Sequence, residues 1–221
     1  ASVAYPYTGD GSPDAAGPSR YVWIDSCETY NFGDDGISTH HSEYIFISNC
    51  YSHDPRLRSN NNGIEIDDGS RHVYLQGNTT ENCYAGIEIK AHDTANAARD
   101  VVINGHVSRS DCRAYNWRHI GHHSGSESVS LTAFDIIACN LVAIHPNNRA
   151  GYQGDTSPRA LCVNAYRRVA VTNFTAIGDP SYDYGSQPAS VVQYRSSQVT
   201  INGFNSSGFT TASFDLYMGS G

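Results

Sequence analysis

Two short segments carry most of the ionisable residues that could act together: Gly63-Ile64-Glu65-Ile66-Asp67-Asp68 and Gly86-Ile87-Glu88-Ile89-Lys90. Isoleucines at alternate positions mark strands with one buried face, because successive side chains of a strand point to opposite sides. Aligning Ile37, Ile64 and Ile87, and then Ile66, Ile89 and Ile120, predicts an outward column of Ser38, Glu65, Glu88 and His119. A second outward column holds His40, Asp67, Lys90 and Gly121. Like charges stacked on neighbouring strands repel, so one carboxyl of such a column keeps its proton and the other loses it. An acid and a base side by side suit glycosidic or phosphodiester cleavage. Neighbouring strands would set Glu65 and Glu88 about 5 Å apart, as in retaining glycosidases, and the Asp67–Glu88 diagonal roughly 8 Å apart, as in inverting ones. Both geometries remain open, as does a merely solvated charged face.

Around this core stand further candidates. Asp34-Asp35 precedes the first of these strands, and His40-His41, His119, His122 and His123 supply imidazoles for substrate contact or proton transfer. Lys90, the only lysine, and Arg118 could balance negative charge. Tyr152 and Tyr182 lie in long loops, where aromatic rings with polar tips suit stacking on sugar faces. No metal site is expected from the histidine string, which lacks assured convergence. The paired aspartates offer oxygen ligands for calcium, or equally hydrogen bonds within their glycine turns.

The elements that must position these residues recur along the chain. Apolar triplets begin at Val22, Ile45, Val73, Val101, Val129, Val169 and Val199, mostly 28 to 30 residues apart, each followed by a polar turn. A second short strand follows in each repeat, at Ile37, Ile64, Ile87, His119, Leu161, Val191 and Phe214. Repeats of this length with two or three strands each describe a stacked array. The expected fold is all-β, a right-handed, single-stranded parallel β-helix of about seven rungs, with Ile24, Ile47, Ile64, Leu75, Ile87, Ile103 and Ile120 inward. Residues 1–20 are expected to be an incoming loop and residues 21–221 the β-helix, an internal portion of a longer protein.

Composition agrees with strands: 20 glycines, 15 tyrosines, one methionine and 16% charged residues among 221. The formal charge of −8 opposes general binding to nucleic acid or anionic membrane. No apolar run approaches the roughly 20 residues of a membrane-spanning helix. Six cysteines without a Cys-x-x-Cys pair read as small buried apolar residues, with Cys27 over Cys50 and Cys83, Cys112 and Cys139 in another column.

The strings NFGDDGISTHHSEYIFISNC, NNNGIEIDDGSRHV, NCYAGIEIKAH, INGH and YNWRHIGHH resemble the pre-neck appendage proteins of short-tailed phages of Gram-positive bacteria, tail spikes of the wider pectate-lyase-like superfamily. The likeness runs from about Asn31 to beyond Tyr194. It implies a homotrimeric virion spike, joined to other virion proteins, that binds and degrades a host cell-wall glycopolymer such as teichoic acid at the bacterial surface. It points to Asp35, Glu65, Asp67, Glu88, Lys90 and His119 as site residues. A weaker likeness to polygalacturonases, at Asp34-Asp35 and Glu88-Ile89-Lys90, departs where Glu88 replaces an arginine. The alternative is a non-catalytic rod that recognises a glycan or spaces modules along the virion.

Overall fold

The computed structural model describes residues 2–4, 18–152, 156–210 and 217–218. Every element in them is a strand, and every pairing is parallel. Eight strands form one sheet in the order β1 (Ser2–Ala4), β4 (Ile37–His40), β7 (Ile64–Asp67), β10 (Ala85–Ala91), β13 (Arg113–His119), β15 (Arg159–Asn164), β17 (Ser190–Gln193) and β19 (Tyr217–Met218). The second sheet has eleven strands. Its main run is β2 (Arg20–Asp25), β5 (Glu43–Ser48), β8 (Arg71–Gln76), β11 (Arg99–Asn104), β14 (Phe134–Ile144), β16 (Arg167–Ile177) and β18 (Ser197–Ser207). The short strands β3 (Glu28–Tyr30), β6 (Tyr51–His53), β9 (Thr79–Glu81) and β12 (Val107–Arg109) form its other arm.

This architecture corrects the expected β-helix. The strands divide into two parallel sheets rather than one single-stranded, seven-rung coil, and the smaller sheet alone stacks eight strands. Apolar alternation dictates parallel strands with one buried face. It does not dictate how hydrogen-bonded ladders divide. The division is set by β14, β16 and β18, each 11 residues long, which fuse segments that are separate in earlier repeats. The first half of β14 pairs with β11 and its second half with β12.

The apolar faces of the strands supply the interior. Ile37, Ile64 and Ile87 stand in register and are fully buried, as are Ile45, Ile47 and Ile103. Each such side chain contributes roughly 2–3 kcal/mol by leaving water. Two expectations fail on register. Ile120 is only half-buried, and the residues stacked on Ile87 and Ile89 are Tyr115 and Trp117. Val129 and Leu131 are exposed in a loop whose buried residue is Ser130, and Ile136 occupies the position in register with Val101. In both places a short apolar alternation outside the true strand mimicked one. The expected strand at Phe214 and most of the expected incoming loop lie outside the described residues.

Glycine makes the closest approaches possible. A Cβ on Gly86 would come within 2.6 Å of the Ala114 carbonyl oxygen and 2.7 Å of Asp111 Oδ2. Gly63, at the equivalent place one strand earlier, would meet Thr80 Cγ2 at 2.5 Å. These glycines bring the chain close to the next strand before Glu65 and Glu88. The cysteines are all free. Cys50, Cys83, Cys112 and Cys162 are buried, whereas Cys27 is exposed and Cys139, which pairs with Asn104, leaves the Cys83–Cys112 column.

Candidate active site

Strands β4, β7 and β10 set Ser38, Glu65 and Glu88 in one row and Asp67 beside His40, as alternation predicted. On β13 the register shifts: Asn116 stands next to Glu88, and Arg118 next to Lys90. His119 therefore falls beside Ala91, outside both rows.

A cleft of about 420 Å³ opens over these residues, lined by Asp34, Asp35, Ser38, His40, Asn60, Glu65, Asp67, Lys90 and His92. Its floor is almost dry: Glu65 and Asp67 are each 1% exposed and Lys90 4%. Lys90 Nζ lies 3.0 Å from Glu65 Oε2 and 3.4 Å from Asp67 Oδ2. Asn62 donates from Nδ2 to Glu65 Oε2 at 2.6 Å. The His40 ring leans over both carboxylates, 3.9 Å from Glu65 Oε1 and 3.7 Å from Asp67 Oδ2.

Burial, and then the charge of Asp67, push the Glu65 carboxyl well above the usual range. Burial works the same way on Asp67, but Lys90, His40 and the Asp68 amide outweigh it and hold Asp67 low. Asp35, hydrogen-bonded to Glu65, is raised to about 6 by burial and by Asp34. Lys90 is held firmly protonated by Asp67 and Glu65 against the cost of its own burial. The floor thus holds two carboxyl groups on one strand whose pKa values are driven in opposite directions, with the Lys90 ammonium within reach of both. Environments that push two carboxyl groups apart in this way separate acid from base.

Glu88 belongs to a different network. It is fully buried, accepts from Asn116 Nδ2 at 2.6 Å and from Arg118 Nε at 2.8 Å, and does not line the cleft. The histidines at the end of β13 are also elsewhere. His119 is buried, with Nδ1 2.7 Å from Ser130 Oγ and Nε2 3.1 Å from two carbonyl oxygens, and burial lowers its pKa to about 4. His122 packs on His119 and contacts the Ser128 carbonyl at 3.0 Å. Tyr152 lines a separate cleft with Asp54, Asn82 and Arg149, and its hydroxyl donates to the Asn82 carbonyl. Tyr182 lines a third, where Arg149 stacks on its ring. Asp34 and Asp35 reach the cleft, yet each also accepts a backbone amide, from Asn60 and Asn62, as turn aspartates do.

Sequence reasoning missed Asn62 and His92. Asn62 lies three residues before Glu65 in an asparagine run that reads as a plain turn, and His92 follows β10 in a polar loop.

The comparisons extend this picture. The chain is 50% identical over 214 residues to the pre-neck appendage protein of Bacillus phage phi29, covering 97% of this chain and 25% of that protein. This chain is a homologue of phage pre-neck appendage proteins. It is equally 50% identical, over 209 residues, to the putative phage-related protein YobO of Bacillus subtilis strain 168, covering 92% of this chain and 26% of YobO. The crystal structure of the N-terminal fragment of bacteriophage phi29 gene product 12 matches with a TM-score of 0.91 at 47% identity, over 98% of this chain and 36% of that one. The chain thus spans about a quarter of the length of the curated relatives it matches. No protein-family model matches it. A virion neck appendage, one of the locations expected from the sequence, is what the phage relatives' name describes.

Proposed function

We propose that this chain is a module of a phage virion appendage that engages the host cell-wall glycopolymer, as part of a longer protein joined to other virion proteins. The observation that carries this reading is the 50% identity to a phage pre-neck appendage protein over nearly the whole chain. The cleft over β4, β7 and β10 is the proposed contact with the polymer, because it gathers an acidic floor, a buried cation and an imidazole. Immobilising purified wall polymers and measuring retention of the full-length protein tests the reading. Equal retention of a variant carrying Asp67→Asn and His40→Ala would remove this cleft from it.

A second reading, cleavage of a glycosidic or phosphodiester bond, is favoured by one specific observation: Glu65 is pushed toward its acid form and Asp67 toward its base form on the same strand. Glu65 would protonate the leaving oxygen and Asp67 activate water. Incubating the full-length protein with wall polymer and looking for shortened products decides between binding and cleavage. If cleavage occurs, Glu65→Gln should lower turnover by roughly a hundredfold or more and leave retention nearly unchanged.

We also propose that copies of the chain associate, as trimers. Trp23, Phe46, Tyr74, Val102 and Ile137 form an outward column in register on the larger sheet, each at least 40% exposed except the half-buried Val102. Contiguous exposed apolar side chains on a soluble surface mark contact faces.

A further inference from the structure

Around Lys90 the cleft gathers Asp34, Asp35, Glu65 and Asp67, and one carboxylate oxygen on its floor accepts no hydrogen bond. Asp67 Oδ1 accepts the Asp68 amide at 2.8 Å, but the buried Oδ2 accepts no hydrogen bond. Lys90 Nζ at 3.4 Å and His40 Nδ1 at 3.7 Å stand off from it. A carboxylate oxygen withdrawn from water ordinarily accepts hydrogen bonds, and here an ion pair at 3.4 Å stands in their place. Asp68, also 1% exposed, follows directly and presents its own carboxylate beside His92 Nδ1, 3.2 Å away.

One donor atom from each of His40, Asp67 and Asp68 lies within 4.8 Å of the other two. Donors bound to one zinc ion at about 2.0–2.2 Å stand at most roughly 4.4 Å apart, so the three side chains would close by a few tenths of an ångström around it. We propose that His40, Asp67 and Asp68 form a divalent-cation site at the edge of the cleft. An imidazole nitrogen with two carboxylate oxygens suits a first-row ion that takes mixed donors, manganese or zinc, whereas calcium prefers six to eight oxygens. The turn that carries Asp67 and Asp68 is held from outside the cluster, since the Gly69 amide donates to the Asn96 carbonyl and the Ser70 amide to the Asp67 carbonyl. The site stands whether or not the cleft cleaves a polymer, because it rests on donor geometry alone.

Isothermal titration of the metal-stripped full-length protein with manganese chloride and with zinc chloride tests the site. One saturable ion per chain is expected, and bound manganese should show spin-echo modulation from a single imidazole nitrogen. His40→Gln should abolish that modulation, and both it and Asp68→Asn should weaken binding by about tenfold or more. His40 is at the surface of the cleft, so His40→Gln reports even if Asp68→Asn impairs folding, which circular dichroism would reveal. Absence of saturable manganese or zinc binding overturns the proposal. So does binding, of either ion or of calcium, that is indifferent to His40→Gln.

Discussion

Lys90 Nζ lies 3.0 Å from Glu65 Oε2, and both side chains are almost entirely withdrawn from water. The neighbouring carboxylate in the same row, Glu88, is neutralised separately by Arg118. Two glutamates that look equivalent in the sequence therefore differ in what their removal exposes. Glu65→Gln keeps an acceptor for Asn62 and leaves Lys90 with Asp67, so it should change stability by no more than about 1 kcal/mol. Glu88→Gln leaves Arg118 without its charged partner and should cost about 3 kcal/mol. Urea unfolding of both variants checks this, and equal midpoints would contradict the separation of the two networks.

Asp35 gives a pH signature. Its folded pKa, about 6, exceeds the ordinary aspartate value, so the folded chain holds this proton more tightly than the unfolded chain. The sign follows. Stability from this group is present at acid pH and falls as pH rises through about 6. Asp35→Asn removes that loss, and its Oδ1 can still accept the Asn62 amide. The variant should melt roughly 6 °C or more above the parent near pH 7.5 and level with it near pH 4. A uniform shift across pH would mean that Asp35 is not the titrating group.

Gly86→Ala should be among the most damaging single substitutions. The added methyl meets backbone oxygen and two fixed side-chain oxygens, none at the end of a flexible chain. A loss of about 3 kcal/mol is expected from overpacking. Thermal unfolding measures it. Gly125→Ala is the control, because nothing lies within 4 Å of its added Cβ.

Association should depend on the outward column. Phe46→Lys combined with Ile137→Lys places two charges among side chains that now expose 44% and 56% of their surface. If this face joins copies of the chain, sedimentation velocity of the full-length double variant should show smaller species while circular dichroism stays unchanged. Unaltered sedimentation would move the contact elsewhere.

Much of the cleft was legible because Ile64-Glu65-Ile66 and Ile87-Glu88-Ile89 are nearly the same string, so aligning isoleucines placed Glu65, Asp67, Glu88 and Lys90 correctly relative to one another. The reading broke at β13. There the inward residues are Tyr115 and Trp117, and Ile120 was the more familiar strand residue, so His119 was assigned the place that Asn116 takes. Which way Glu88 turns was not legible either. That depends on Arg118, and alternation tells a face but not a rotamer. The division into two sheets escaped because it is decided by strand fusion at β14, β16 and β18, where Gly203 and the asparagines at 140 and 173 look like breaks.

The second residue of every main strand in the larger sheet, from Tyr21 through Tyr44, His72, Asp100, Asp135 and Arg168 to Gln198, has a φ between 53° and 62°. None is a glycine, so each holds a left-handed conformation that costs of order 1 kcal/mol. Tyrosine and aspartate each occur twice among these seven places, with a histidine, an arginine and a glutamine, and none of the seven is β-branched. What recurs is the bend, and the stacked backbone imposes it on whatever side chain arrives. Along this edge side chains meet their neighbours one strand on, Tyr21, Tyr44 and His72 by ring stacking and Asp135 and Arg168 by two hydrogen bonds, so the repeated bend sets them in one file. Members of the file could be exchanged ring for ring or charge for charge without refolding the backbone beneath them.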